Sequence, residues 1–356
     1  MTAACSFLVP GDIATRTGGY GYDRRIVDGL RLLGWDVEVA SLGAGYPMPD
    51  AAAREQARAL AEALPDGRLA VVDGLAFGAL PELAGRQARR LRWVALVHHP
   101  LCLETGLSPA LRQQLFDSER RALACVRGVI VTSASTALAL AGFEVPAERI
   151  AVVEPGTDPA PMAQGAGGAG LSLLCVASVT PRKGHALLVE ALAGLAHLSW
   201  VLHCAGSLDL DPACAAALRI SIAKAGLRDR VMLHGELDEA ALQPLFAAAD
   251  AFVLPSFHEG YGMALAEALA CGLPVISTSA GAIPDTVPAD AGVLVEAGNV
   301  DALRQALHHL LTDAEWRARL AAGASAARDR LPCWVDAAAR FGSALEGFVR
   351  LEPLVP

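Results

Sequence analysis

Residues 251–277 read AFVLPSFHEGYGMALAEALACGLPVIS, and this stretch decides the fold. A short apolar run, Ala251–Leu254, is followed by a loop with proline and glycine, and then by an Ala- and Leu-rich helical pattern, Met263–Cys271. A second short apolar run, Pro274–Ser277, comes next. Because both short runs are apolar on both faces, the stretch predicts a strand, a helix and a parallel strand.

The same alternation extends through both halves of the chain, which predicts an α/β protein with two doubly wound, Rossmann-like parallel-sheet domains. The other strands predicted are Cys5–Pro10, Asp36–Ser41, Leu69–Asp73, Trp93–Val97, Gly128–Thr132, Ile150–Val153, Leu171–Ala177, Trp200–Ala205, Val231–Leu233 and Gly292–Val295. The aperiodic stretch Glu154–Gly170 indicates a linker. We therefore expect domains at residues 1–160 and 171–332, facing each other across a ligand-binding cleft.

Composition excludes several classes of protein. The formal net charge of −9 disfavours nonspecific binding to nucleic acid. Eight scattered cysteines, none in a C-x-x-C pattern, fit a reducing compartment. We find neither a signal peptide nor a run of 18 apolar residues, so a cytosolic protein is expected. Lysine occurs only at Lys183 and Lys224, which draws attention to both.

Glycines around the start of the predicted helix at Met263 let the backbone approach a ligand closely, and a helix N-terminus favours an anion. Glu267 has only apolar neighbours in this helix, so a buried carboxylate there needs donors. The vicinal hydroxyls of a ribose would satisfy both of its oxygens. The alternatives are that Glu259 only favours the helix N-terminus and that Glu267 lies on a solvated face.

The segment Glu259–Glu267, EGYGMALAE, resembles the E-x7-E segment of family 4 retaining glycosyltransferases, which have two Rossmann-like domains (GT-B architecture). The family usually has EGFG, and here Tyr261 replaces the Phe. The resemblance implies that Glu267 binds the donor ribose and that Glu259 lies against the transferred sugar. It also implies that the amides of Gly260, Tyr261, Gly262 and Met263 face sugar and phosphate. The last segment, 333–356, resembles the family's final helix, which packs back on the first domain.

A second element is Val179–Gly184, VTPRKG, directly after a predicted strand. Arg182 and Lys183 at this turn would neutralise a diphosphate leaving group as the glycosidic bond breaks. The family has a similar basic pattern at this place. The alternative is a pair of solvated loop charges.

The first half contributes two further elements. His98 follows the strand Trp93–Val97, and the family has a histidine there that reaches the donor sugar; the alternative is a structural histidine. A metal-binding pair with His99 is disfavoured, because no third ligand is evident nearby. The segment 14–21, ATRTGGYG, resembles the family's glycine loop, which predicts that Gly18 and Gly19 close over the diphosphate.

Two patterns have more ordinary interpretations. Asp209-Leu210-Asp211 is similar to a metal-binding D-x-D, but Pro212 follows, which predicts that Asp211 is a helix N-cap. The basic cluster in the first half predicts either a solvated helix face or a peripheral contact with anionic lipid. Its members are Arg86, Arg89, Arg90 and Arg92.

The sequence thus predicts a glycosyltransferase that moves a sugar, with retention, from a UDP-, GDP- or ADP-sugar to a saccharide, lipid or small-molecule acceptor. His98, Glu259, Arg182 and Lys183 are the expected catalytic residues. We expect no metal and no cofactor. The alternatives are a nucleotide-sugar epimerase, a phosphorylase and a non-catalytic nucleotide-sugar-binding protein.

Overall fold

The structure is a computed structural model that describes residues 3–168 and 170–352. It divides into two compact units. The first comprises the chain up to Gly156 together with the tail from Pro332, and the second comprises Thr157–Leu331. The end of the predicted tail segment, 353–356, lies outside the described residues.

The first unit contains a six-stranded parallel sheet in the order β2-β1-β3-β4-β5-β6. Its strands are β1 (Ala4–Val9), β2 (Asp36–Ser41), β3 (Leu69–Asp73), β4 (Arg92–Val97), β5 (Gly128–Val131) and β6 (Ile150–Val152). Its helices are α1 (Gly18–Leu32), α2 (Ala51–Ala63), α3 (Gly74–Phe77), α4 (Pro81–Gln87), α5 (Pro109–Leu123) and α6 (Ala134–Ala139).

The second unit contains another six-stranded parallel sheet, in the order β12-β11-β10-β7-β8-β9. Its strands are β7 (Leu171–Val176), β8 (Trp200–Ala205), β9 (Val231–Gly235), β10 (Ala251–Leu254), β11 (Val275–Thr278) and β12 (Gly292–Val295). Its helices are α7 (His185–Ala193), α8 (Pro212–Lys224), α9 (Glu239–Ala248), α10 (Met263–Ala270), α11 (Ile283–Thr286), α12 (Val300–Thr312) and α13 (Ala314–Arg328). The predicted fold class of two doubly wound parallel sheets is confirmed.

The tail helix, α14 (Trp334–Phe348), packs against α1 in the first unit. Small residues permit the close approach, since a Cβ on Gly29 would lie 2.4 Å from the Cβ of Ala338. Phe341 is fully buried and packs near Phe7 and Tyr22. This packing fixes the position of α1, which carries Asp23, a member of one of the two polar clusters described in the next subsection.

The stretch expected as a linker pairs with the second unit. Ala163 N donates to Cys271 O at 2.8 Å, and Gln164 N donates to Ala247 O at 2.8 Å. Arg328 adds a hydrogen bond to the carbonyl of Ala160. The second unit therefore begins at Thr157, before the boundary at 171 that the sequence suggested, because Gly- and Pro-rich composition does not reveal these backbone contacts.

Two of the ordinary interpretations can be compared with the structure. Asp211 caps α8 by accepting from Cys214 N at 2.9 Å, which confirms the N-cap prediction. In the arginine cluster, Arg90 is directed to the carbonyls of Ala61 and Leu64 at the end of α2, so one of the four guanidinium groups serves as a structural cap. Within the described ranges, no helix has both the length and the apolar character needed to cross a bilayer.

Candidate functional site

In the second sheet the winding direction reverses between β7 and β10, which are neighbours although they are not consecutive in the chain. Open α/β sheets bind ligands at the carboxyl ends of the strands beside such a reversal. The loop after β7 carries Arg182 and Lys183, and the loop after β10 carries Glu259. The fold therefore joins two predicted motifs that lie 76 residues apart.

Lys183 and Glu259 form an ion pair at this position. The Nζ of Lys183 lies 2.6 Å from Oε1 and 2.8 Å from Oε2 of Glu259. Their side chains are only 18% and 8% exposed. Ser256 Oγ donates to Oε1 at 2.5 Å, and Arg182 Nη1 lies 3.6 Å from Oε2. One carboxylate thus holds two cationic side chains beside the strand ends.

Backbone contacts tie the two loops together. Phe257 N donates to Arg182 O at 2.7 Å, and Arg182 Nη1 donates to His258 O at 2.9 Å. Gly184 has a φ of +71°, and a Cβ there would lie 2.1 Å from Pro255 O. Glycine is required for both the left-handed backbone and the close approach. The cations are consequently held on a loop with a fixed position rather than on a free surface turn.

The electrostatics of the pair favour an ionised carboxylate. Burial raises the pKa of Glu259, but the charges of Lys183 and Arg182 and two side-chain hydrogen bonds outweigh it, so the pKa lies below its ordinary value of 4.5. Burial lowers the pKa of Lys183 below 10.5, although Glu259 opposes this shift. At neutral pH Glu259 is therefore ionised.

The rest of the predicted glycine-containing loop leads into α10. Gly262 is the N-cap with a φ of +94°, and a Cβ there would meet Leu265 Cδ1 at 2.7 Å. Tyr261 is buried, and its carbonyl accepts from Thr286 Oγ1 at 2.6 Å. Glu267 lies on α10 and is half-buried, which is less than the sequence suggested. The predicted donor-binding residues Gly260 and Met263 are also half-buried.

A second polar cluster lies at the winding reversal of the first sheet, between β1 and β3. His98 Nε2 lies 2.9 Å from Asp23 Oδ1 and 3.9 Å from Asp73 Oδ2. Asp23 lies on α1, which follows β1, and Asp73 ends β3. Gly19 lies against the imidazole, since a Cβ there would be 3.5 Å from His98 Cδ2, whereas Gly18 is exposed. The histidine is thus fixed by carboxylates rather than by a backbone carbonyl.

This cluster holds a proton near neutral pH. Burial, and next the charge of Asp23, raise the pKa of Asp73 to about 7. Burial lowers the pKa of His98, but the two carboxylates outweigh it, and the net shift is upward from 6.5. Asp73 and His98 therefore both favour their protonated forms more than they would in water.

Sequence reasoning missed three residues of these clusters: Asp23, Asp73 and Ser256. Asp73 had a usable signal, because it ends a predicted strand where ligand-binding side chains concentrate. Asp23 had none, since an aspartate in an amphipathic helix usually faces water. The expectation that no further ligand group lies near His98 is wrong, because its ligand atom and those of both aspartates lie within 4.8 Å of one another.

Solved structures share this architecture over nearly the whole chain. Sucrose-phosphate synthase from Thermosynechococcus elongatus superposes with a TM-score of 0.81 at 22% identity, over 97% of this chain and 98% of that one. The Anabaena protein HepE, in complex with UDP-glucose, gives a TM-score of 0.77 at 18% identity, over 96% and 99%. The protein is therefore of the GT-B class, with two Rossmann-like domains.

Family models identify the chain more closely. Residues 12–156 match the model described as a glycosyl transferase 4-like domain, and residues 170–313 match the model described as glycosyl transferases group 1. The two matched segments take in most of the chain, which belongs to the group 1 glycosyltransferases, a family of transferase enzymes.

Curated relatives agree with this assignment over part of their length. The D-inositol 3-phosphate glycosyltransferase of Xylanimonas cellulosilytica is 37% identical over 158 residues, which is 44% of this chain. The MMP alpha-(1->4)-mannosyltransferase of Mycolicibacterium hassiacum is 28% identical over 233 residues, which is 61% of this chain. The chain spans 37% and 56% of the length of these two relatives.

Proposed function

We propose that the protein transfers a sugar from a nucleoside diphosphate sugar to an acceptor, with retention of anomeric configuration and without a metal ion. The observation that carries the proposal is the pair of cations, Lys183 and Arg182, fixed by Glu259 at the winding reversal of the second sheet. That HepE, which has the same fold, was solved with UDP-glucose supports a nucleotide-sugar donor.

In this proposal the cations stabilise the leaving group. As the glycosidic bond breaks, negative charge grows on the distal phosphate of the diphosphate, and fixed positive groups stabilise it most in the transition state. An ammonium group has three N–H donors, and two of those of Lys183 face Glu259. The third can be directed to a phosphate oxygen. Glu259 then acts mainly by positioning Lys183.

The nucleoside and sugar are assigned to the loop and helix that follow. Glu267, half-buried on α10, is proposed to accept hydrogen bonds from the ribose hydroxyls. The amides of Gly260–Met263 are proposed to face the sugar and the phosphate. Gly262 supports a close approach of the backbone to a ligand, because its left-handed conformation excludes a side chain.

The first unit is proposed to bind the acceptor, which we leave as a saccharide, a lipid or a small molecule. His98, held by Asp23, is proposed to hydrogen-bond a sugar hydroxyl. Gly19, against the same imidazole, supports close packing of a ligand there. We also propose a cytosolic location. A further hypothesis is a peripheral contact with a membrane through Arg86, Arg89 and Arg92.

Retention is proposed to proceed by attack on the face from which the leaving group departs. Glu259 is a poor candidate for a covalent nucleophile, because both of its oxygens are engaged by Lys183 and it is buried. A donor phosphate oxygen is then the base that takes the proton of the acceptor hydroxyl.

A donor screen tests the proposal. We expect one of the UDP-, GDP- and ADP-sugars to raise the unfolding free energy by about 2.7 kcal/mol at a hundredfold excess over Kd. Glu267→Ala should reduce this stabilisation, because the ribose contact contributes to binding rather than to the chemical step. Chromatography of products without acceptor distinguishes a transferase from an epimerase. If none of the three classes of nucleotide sugar stabilises the protein, the proposal is wrong.

A further inference from the structure

A buried cluster of sulfur and nitrogen atoms lies directly behind the Lys183 loop. Cys175 is on β7 and Cys204 is on β8, and the two residues are register partners in the parallel sheet. His185, the first residue of α7, places its Nε2 3.7 Å from Cys175 Sγ. The two sulfur atoms and one imidazole nitrogen all lie within 4.8 Å of one another.

The cluster is isolated from water and incompletely paired. Cys175, Cys204 and His185 are 0%, 4% and 3% exposed. Within the part of the chain that the structure describes, Nδ1 of His185 has no hydrogen-bond partner. A buried polar group without a partner has an energetic cost. Since the ring directs Nε2 at the cysteines, a ligand between the three atoms would use that nitrogen.

We infer that Cys175, Cys204 and His185 form a three-coordinate site for a soft metal ion, and that this ion is Cu(I). Thiolate and imidazole ligands select soft ions such as Cu(I), whereas structural zinc sites almost always have four ligands. The described cluster supplies three. Binding displaces the remaining thiol protons to solvent and changes no oxidation state.

The charge around the cluster is compatible with a monovalent ion. Two thiolates with Cu(I) carry one net negative charge, which is a smaller buried charge than that of the two thiolates alone. His185 comes two residues after Lys183 in the chain, so the site lies next to the proposed diphosphate loop. It uses neither Lys183 nor Arg182 as a ligand.

The test is a competition titration with the Cu(I)–bicinchoninate complex under argon. All proteins carry Cys125→Ser, Cys214→Ser and Cys333→Ser, which remove the half-buried and exposed thiols. We expect the background protein to take one equivalent of Cu(I), and Cys175→Ser to lower the affinity about 100-fold or more, since even outer-shell partners are worth 10–100-fold. Cys271→Ser, a buried cysteine of the same unit outside the cluster, is the matched control and should bind like the background.

Two further measurements exclude slow entry of copper and misfolding of a variant as explanations of a negative result. The copper content of protein made in copper-supplemented cells shows whether slow entry prevents binding in the titration. X-ray absorption of the copper-loaded background protein should show two sulfur ligands and one nitrogen ligand, which does not depend on any variant folding. No copper in either preparation, equal loss in Cys271→Ser, or uptake of Zn²⁺ in place of Cu(I) would overturn the assignment. These readouts are independent of transferase activity.

Discussion

The two polar clusters occupy equivalent places in the two sheets, each at the winding reversal, but they differ in charge balance. In the second unit, Lys183 and Arg182 face one carboxylate, Glu259. In the first unit, Asp23 and Asp73 face one imidazole, that of His98. The same topology thus holds a surplus of fixed positive charge in one unit and a surplus of carboxylate in the other. A common fold positions side chains, but it does not determine which ligand charge they suit.

The difference gives the two clusters opposite dependences on pH. The folded-state pKa of Glu259 lies below 4.5, so its contribution to the unfolding free energy is present above that value and is lost as the pH falls. Asp73 has a folded-state pKa of about 7 instead of 3.8, so its contribution is full below 3.8 and is lost as the pH rises towards 7. His98, whose pKa is also raised, changes in the same direction as Asp73.

The largest expected effect is on the cationic side of the comparison. Lys183→Ala should lower kcat/KM about 10²–10³-fold, because a preorganised charge on the leaving group is lost. Arg182 remains, so the loss should lie at the lower end, and the double variant should be worse than either single variant. Steady-state kinetics with the donor found in the screen gives the measurement.

Two control variants sharpen this prediction. Lys183→Arg keeps the charge without the compact ammonium and should retain partial activity. Lys224→Ala changes the other lysine, which is exposed at the end of α8, and should be nearly neutral. A kcat/KM for Lys183→Ala within about twofold of the native value would show that this loop does not bind the diphosphate.

Glu259→Gln tests whether the carboxylate positions Lys183. The amide can still accept one hydrogen bond, so we expect a smaller fall in kcat/KM than for Lys183→Ala, and a loss of unfolding free energy of about 1–3 kcal/mol. Urea unfolding gives the second quantity. In the double variant Lys183→Met/Glu259→Gln the two stability losses should not add, because the residues are in contact. Strict additivity would mean that the pair does not act as a unit.

Asp73→Asn tests the carboxylate-rich side. The native protein should lose unfolding free energy relative to this variant as the pH rises from 4 to 7, by up to about 1.4 kcal/mol per pH unit. The informative quantity is the difference in unfolding free energy between the two proteins. Burial also raises the pKa of Glu119 to about 8, and this residue adds a pH dependence of its own to both proteins. Urea unfolding at several pH values is the measurement, and parallel curves for the two proteins would contradict the raised pKa of Asp73.

The sequence predicts the strands of the fold more completely than the short helices. Each of the twelve predicted strands occurs, with ends shifted by two residues at most, because parallel strands buried on both faces leave short apolar runs. The short helices α3, α6 and α11 were not predicted, since one or two turns carry too little periodicity.

In the candidate site, the sequence predicts single residues but not the contacts between them. Lys183 and Glu259 are recognisable one by one in local motifs, but their ion pair depends on sheet order, which local patterns do not give. The contact of His98 with Asp23 joins residues 75 positions apart, and one of them is a helix residue without a motif. A search of strand ends beside the winding reversal would have found Asp73, but not Asp23.

The smallest effect is expected from chelation of divalent metal ions, which should leave the rate of sugar transfer unchanged. If Lys183 and Arg182 offset the diphosphate charge, turnover in excess EDTA should equal turnover with added Mg²⁺ or Mn²⁺. The comparison of the two clusters makes this result informative, because Asp23, Asp73 and His98 are arranged so that they could themselves hold a cation. Strict dependence on a divalent ion would therefore contradict the proposal, and Asp23→Asn and Asp209→Asn would then separate the two carboxylate sites. Loss of metal-stimulated turnover only in Asp23→Asn would place the required ion in the first unit, whereas its loss only in Asp209→Asn would mean that the D-x-D pattern was misjudged.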